Sequence, residues 1–280
     1  MTDRTPNHGA EASPLGKTAA YRNTYAPELL FPVPRAAKRA EIGVGDTLPF
    51  EGEDLWNAYE ISWLNPRGKP VVAMGVFRVP ASSPHLIESK SLKLYLNSFN
   101  GTALNHMDEA RERMARDLSA AAGASVAVEL FSLDDVLRDT ATLIGDCIDE
   151  IDVEITDYQP APKHLATTHA ADDVSETLVS HLLKSNCLVT GQPDWATLYI
   201  RYRGKPIDRA GLLRYVVSFR EHNEFHEQCV ERVFVDVMAH CRPTALAVWA
   251  RYTRRGGLDI NPFRSTPGEA LPPNGGDPRQ

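Results

Sequence analysis

Apolar residues recur along this chain in two alternating rhythms. Leu212, Tyr215, Val216 and Phe219 follow the i, i+3, i+4, i+7 spacing of a helix with one apolar face. A longer helix is predicted over 224–240, with Phe225, Cys229, Val233 and Val237 on its inner side. Before them, 177–190 and 195–202 are rich in Val, Leu, Ile and Tyr and flank a Gly-Gln-Pro-Asp turn, the pattern of a hairpin. "TALAVWARYT" and "GLDINPF" read as two further strands. The first half repeats the series, with strands near 54–64 and 70–79, helices near 89–99 and 106–122, and strands near 124–133 and 147–156. The order is ββααββ twice. Two helices on one face of an antiparallel sheet make a two-layer α+β unit.

The halves also match residue by residue. "LKLYLNSFNGTALNH" at 92–106 lies on "LLRYVVSFREHNEFH" at 212–226 with a constant offset of 120, and "VAV" at 126–128 falls on "LAV" at 246–248. "RGKP" at 67–70 recurs at 203–206 with a different offset. One ungapped offset through two matches indicates tandem copies of one fold. The expected division is an N-terminal extension at 1–50, a first module at 51–160, a second at 161–264, and a loose Pro/Gly-rich tail at 265–280.

Composition narrows the class. The 280 residues, 42% apolar, suffice for two such modules. A net charge of −7 lacks the basic footprint of a general nucleic-acid binder. No apolar run approaches the ~20 residues of a membrane span, and the N-terminus has no signal-peptide core, so the expected location is cytoplasmic. Cysteines 147, 187, 229 and 241 are widely spaced, without a C-x-x-C pair or a zinc-site spacing. They are expected to be reduced thiols, and no metal is expected. Free cysteines are commonly buried small hydrophobes, and Cys147, Cys229 and Cys241 keep that default.

Cys187, in "LLKSNCLVTGQPDW", stands apart because it precedes a turn with Asp194 beyond it. A thiolate nucleophile needs a nearby cation, helix end or base, and Lys184 can help only if it points the same way. Asp194 either caps its own turn or, desolvated and protonated, donates a proton. On these residues alone, packing stays ahead of nucleophile for Cys187. In "EFHEQCVER", His226 and Glu227 open a helix and can relay protons and accept hydrogen bonds from a flat ligand; Val230 rules out H-E-x-x-H. In "IESKSLKLY", Lys90 and Lys93 sit near a first helical turn, where cations oppose the dipole: on these residues alone a solvated basic face stays ahead of a grip on an anionic partner. In "RYTRRGG", Arg251, Arg254 and Arg255 precede paired glycines and are suited to phosphate. No G-x-G-x-x-G or Walker loop occurs.

Together, "ESKSLKLYLNSF", "SNCLVTGQPDW", "HNEFHEQCVER" and "YTRRGGLDINP" resemble, in order, the segments of the NADPH-dependent 7-cyano-7-deazaguanine reductases in their long, two-module form. The resemblance covers about residues 15–264. It implies tandem tunnelling-fold modules and four-electron reduction of the nitrile preQ0 to the amine preQ1 in queuosine biosynthesis, with two NADPH per turnover and no metal. Cys187 would form a thioimide, Asp194 would donate a proton and His226 would relay one. Ile87, Glu88, Ser89, His226 and Glu227 would hold the substrate, and Ser89, Lys90, Arg255 and Gly256 the NADPH. A homodimer is implied, with no direct nucleic-acid or membrane contact. Two alternatives stay open: a GTP cyclohydrolase-like hydrolase of the same fold, and a non-catalytic purine-binding module.

Overall fold

Alternation in Pro70–Pro80 buries Ala73, Gly75, Phe77 and Val79 and turns the residues between them outward, as a strand with one packed face requires. In the computed structural model, which describes residues 21–133, 145–169, 172–277 and 279–280, that face meets two helices. The described chain forms two compact units. One contains 21–41, 53–133 and 254–260, and the other 42–52, 145–253 and 261–280, apart from the masked positions. These limits differ from the expected division at 50, 160 and 264, because short segments far apart in sequence pack into each unit. Residues 1–20 of the expected extension lie outside the described residues.

In the first unit, β1 (Pro32–Pro34) and α1 (Ala36–Glu41) precede a long hairpin of β2 (Glu51–Leu64) and β3 (Pro70–Pro80). Then come β4 (His85–Ile87), α2 (Ser89–Asn97), α3 (Met107–Ala122) and β5 (Ala127–Phe131). β3 pairs antiparallel with both β2 and β5, while β1 pairs with β4. Trp56, Ile61, Trp63 and Phe77 from the sheet pack with Tyr95, Met114 and Leu118 from the helices and Phe99 from the turn after α2. A buried ion pair, Arg35 Nη2 to Asp54 Oδ2 at 2.5 Å, ties the stretch before α1 to β2.

The second unit carries β6 (Asp146–Cys147), β7 (Val174–Asn186), β8 (Pro193–Gly204), α4 (Arg209–Val217), α5 (His226–Cys241) and β9 (Ala245–Tyr252), with most of β10 (Leu258–Ser265). β7–β8, β8–β9 and β9–β10 are antiparallel; β6 alone runs parallel to its neighbour, β7. The strand expected over 147–156 shrinks to β6, and 151–158 carry no regular element. Ile151, Val153 and Ile155 still alternate, half-buried, with exposed Asp152 and Glu154, so the pattern that predicts a strand is kept while the ladder pairing is not. The tail expected to be loose is bonded instead: Arg251 Nη2 donates to the Pro273 carbonyl at 2.6 Å and Gln280 Nε2 to the Tyr252 carbonyl at 2.9 Å. Among the described residues no helix is long and apolar enough to cross a membrane.

The two units share construction details. α2 and α4 begin and end 120 residues apart, and Glu88 and Asp208 cap them. Tyr95 OH donates to Asp117 and Tyr215 OH to Asp236, at 2.7 and 2.6 Å. Ser98 Oγ accepts from the Ala26 amide at 3.1 Å, as Ser218 Oγ does from Ala161 at 3.0 Å. Both hairpins carry a register shift, between Ala58 and Ile61 and between Ser180 and Leu183. The aligned histidines, however, are one position out of step: His106 caps α3 whereas His226 begins α5. The two RGKP stretches are not equivalent, since one turns β2 into β3 and the other leaves β8.

Candidate functional site

In the second unit the hairpin end gathers polar side chains. β7 pairs with β8 so that Ser185 faces Asp194 and Asn186 faces Pro193. Cys187 opens the turn, where its amide donates to the Gln192 carbonyl at 2.8 Å and its carbonyl accepts from Gly191 at 3.0 Å. Gly191 closes that turn at φ +67°, a left-handed conformation that glycine adopts without a Cβ clash. Asn186 holds the segment leading into α5: its amide donates to His222 O at 2.8 Å and its carbonyl accepts from Glu224 N at 3.0 Å. That tether carries His226 to the hairpin, where its Nε2 lies 3.2 Å from Asp194 Oδ1. Cys187 is 7% exposed and Asp194 3%, so thiol and carboxyl are both withdrawn from bulk water. Glu227, in the first turn of α5, is buried as well.

Several neighbours of this group were not picked out from the sequence as site residues. Tyr252, at the end of β9, stacks on the His226 ring with centroids 3.9 Å apart and planes 13° from parallel. Its hydroxyl sits with Ser185 and the Cys229 thiol, and burial raises the pKa of both Tyr252 and Cys229 well above their ordinary values. Cys229 is therefore a neutral packing thiol, as expected for it. Behind the turn, burial would raise the Glu224 carboxyl, but hydrogen bonds from His222 and Arg232 hold it down at about 2. Arg232 meets it through two nitrogens, Nη2 at 2.7 Å and Nε at 3.0 Å. Only the cross-strand position of Ser185, two residues before Cys187, was a usable signal.

Lys184 does not serve Cys187. It stands on the opposite strand face, and its Nζ donates to Asn186 Oδ1 and the Arg220 carbonyl, both at 2.6 Å. Cys147, expected to be buried, is exposed, because the strand predicted around it is two residues long.

The other named residues lie in the first unit. Ile87 ends β4 and is buried. Glu88 follows, 0% exposed, its carboxylate accepting from Lys90 N at 2.7 Å and Ser91 N at 2.8 Å. Burial raises its pKa, against the lowering effect of those amides and of Lys93 and Lys90. Ser89 Oγ also donates to Oε1, at 3.5 Å, while Oε2 keeps a lone pair for another donor. Ser89 and Lys90 form the first turn of α2. Arg255 through Leu258 make a tight turn closed by Arg255 N to Leu258 O at 2.9 Å, with φ of +57° at Gly256 and +74° at Gly257. Positive φ at both central positions is the type I′ hairpin turn, which explains the paired glycines. Gly256 lines a cleft of about 220 Å³ with Lys93, Glu60, Asn97 and Asn100. A Cβ on Gly256 would lie 3.3 Å from Lys93 Nζ, and one on Gly257 would strike Glu60. Bare backbone is thus what lets this turn sit beside a cation and an acid.

The comparisons fit a chain of two modules. Residues 21–130 match the family model described as "Nitrile reductase, 7-cyano-7-deazaguanine-reductase N-term", and 193–270 match that of a "QueF-like protein". An NADPH-dependent 7-cyano-7-deazaguanine reductase of Azoarcus sp. (strain BH72) is 67% identical over 266 residues, covering 94% of each chain. Its namesake in Aromatoleum aromaticum is 65% identical over 94% of this chain and 93% of its own, and that of Dechloromonas aromatica 62% over 98% and 96%. The chain belongs to this reductase family.

Proposed function

We propose that this chain reduces the nitrile of 7-cyano-7-deazaguanine to the aminomethyl group, with NADPH as the reductant. The observation that carries the reading is the buried Cys187 thiol and the Asp194–His226 pair at one hairpin end, within a chain 67% identical, over nearly its full length, to a reductase of that name. A nitrile carbon is a reluctant hydride acceptor, and a thiolate changes that by adding to it. Cys187 Sγ forms the C–S bond while the nitrile nitrogen takes a proton, giving a thioimide. Asp194 donates that proton, and His226, 3.2 Å away at Nε2, is placed to resupply it. Addition of hydride leaves a tetrahedral carbon bearing sulfur and nitrogen. The C–S bond then breaks, the thiolate departs and an imine forms, and a second hydride with a second proton completes the amine.

NADPH supplies both hydrides, four electrons in all. Lys93, the side-chain-free Gly256 and the neighbouring Arg255 suit its phosphates, and Ser89 and Lys90 extend that surface. Ile87, Glu88, Ser89, His226 and Glu227 are assigned to the deazaguanine, with the two carboxylates accepting from its N–H edge. Tunnelling-fold modules assembled as a cytoplasmic homodimer, free of nucleic acid and membrane, complete the proposal; the solution mass tests the assembly. The decisive experiment mixes protein, nitrile and NADPH and follows the nicotinamide absorbance. Nitrile-dependent loss that disappears in Cys187→Ala is expected. No such loss, or full activity in Cys187→Ala, would sink the reading.

A further inference from the structure

Three side chains outside this group converge at the edge of the second unit. β6 runs parallel to β7, with Cys147 opposite Val179. The register shift that follows in β7 leaves Ser180 and His181 turned toward Asp149. Asp149 accepts from Ser180 Oγ at 2.6 Å and from the His181 amide at 2.9 Å, so backbone and hydroxyl together fix its carboxylate. One ligand atom each from Cys147, Asp149 and His181 all lie within 4.8 Å of one another. The sequence hid this cluster because its members are separated by one residue and then by a 31-residue stretch, neither a zinc-motif spacing.

We propose that Cys147, Asp149 and His181 bind a thiophilic divalent cation of the zinc class. The donor set decides the class. Thiolate, imidazole and carboxylate on one centre suit zinc, whereas magnesium and calcium take all-oxygen sites. Tetrahedral zinc, with bonds of about 2.0–2.3 Å, brings its ligands to roughly 3.3–3.8 Å from one another. Cys147 and His181 are exposed and can close that difference by side-chain rotation, leaving a fourth position to water. The flanking contacts are those of a supported site. His181 Nδ1 is 3.0 Å from Thr197 Oγ1, which can accept its N–H and leave Nε2 for the metal. In the absence of a cation, burial and the nearby acids Asp149 and Glu150 raise the Cys147 pKa. A dication reverses that balance, deprotonating the thiol on binding. Occupancy would staple the two-residue β6 to the irregular part of β7, so the site's effect falls on the stability of this edge rather than on the nitrile chemistry.

The test uses the full chain, reduced with a non-chelating phosphine, and Co²⁺ alone as probe. One equivalent should bind with a thiolate-to-cobalt band in the near ultraviolet, be displaced by Zn²⁺, and raise the midpoint of thermal unfolding. Cys147→Ser should abolish the band, and Asp149→Asn and His181→Ala should each weaken binding about tenfold or more. Cys187→Ala should leave the band in place. The assignment is overturned if the wild-type chain shows no such band, or if the band survives in Cys147→Ser.

Discussion

The two hairpins differ most where they are otherwise superposable in design. Leu64 pairs with Pro70 in the first unit as Asn186 pairs with Pro193 in the second. The backbone of Leu64 donates to Thr102 O and accepts from Leu104 N at 2.9 and 2.8 Å, and Asn186 does the same with His222 and Glu224 at 2.8 and 3.0 Å. Around that shared frame stand Trp63, Leu64, Asn65, Val71 and Leu104 in one unit, and Ser185, Asn186, Cys187, Asp194 and Glu224 in the other. In the first set Trp63, Val71 and Leu104 finish an apolar core, and Asn65 caps the turn through its Oδ1, which accepts from the Arg67 and Lys69 amides. The second buries hydroxyl, thiol and two carboxyls at the corresponding places, at a desolvation cost that packing alone does not reward. Buried polarity confined to one of two matched frames supports the proposal that this unit carries the covalent chemistry.

The largest expected effect removes that contrast at its centre. Cys187→Ala should lower the rate of nitrile reduction by about 10⁴-fold or more, with the unfolding midpoint nearly unchanged, since a small apolar group replaces a thiol in the same turn. A large loss of stability with partial activity would instead make Cys187 a packing residue. Next in size, Asp194→Asn should cost about 10²–10⁴-fold in kcat while leaving substrate binding within a few-fold, because the isosteric amide cannot act as the acid. Steady-state kcat and KM on the folded variant separate the two effects.

Glu224 sharpens the comparison on the stability side. Its pKa falls from the ordinary 4.5 to about 2 on folding, so its contribution is present above the unfolded value and is lost as pH drops from about 5 toward 2. Glu224→Gln should therefore cost about 3 kcal/mol at neutral pH, leaving Arg232 without its buried counter-charge, and the penalty should vanish near pH 2. Urea midpoints measured across that range check both the size and the direction. Leu104, its counterpart, has no ionisable group, so Leu104→Met should change stability little and with no acid-side dependence.

What the sequence disclosed follows from the range of the interactions. The apolar faces of α2 to α5 and the hairpin strands are local patterns, and they were readable as helices and strands. The repeat was readable through α2 and α4, but not at its start, where Ala26-Pro27 and Ala161-Pro162 begin matching 3-10 turns 135 residues apart, because the intervening loops differ in length. At the site, Cys187, Asp194, His226 and Glu227 were nameable from motifs. Tyr252 was not, since its stacking on His226 depends on β9 lying beside β8. The condition set for Lys184 could not be decided from sequence for the same reason: strand parity, not sequence distance, decides which side chains share a face. The Cys147, Asp149 and His181 cluster needed a parallel pairing and a register shift, both long-range facts.

The smallest expected effect asks whether the two helix layers, alike in their bonds, are alike in strength. Asp117 accepts from Tyr95 OH at 2.7 Å, from Tyr25 OH at 2.6 Å and from Arg116 at 3.0 Å. Asp236 accepts from Tyr215 OH at 2.6 Å, and burial already raises its pKa. Tyr95→Phe leaves Asp117 with its other donors and should cost about 0.5–1 kcal/mol. Tyr215→Phe takes from Asp236 a bond that favours its charged form, so it should cost about 1.5–2 kcal/mol and push that carboxyl further up. Amide exchange in α2 and α4 reads each loss in its own unit. Equal costs would mean that Tyr25 and Arg116 add nothing to the first network. The gap should also narrow as pH falls, because a protonated Asp236 loses less when the phenol is removed.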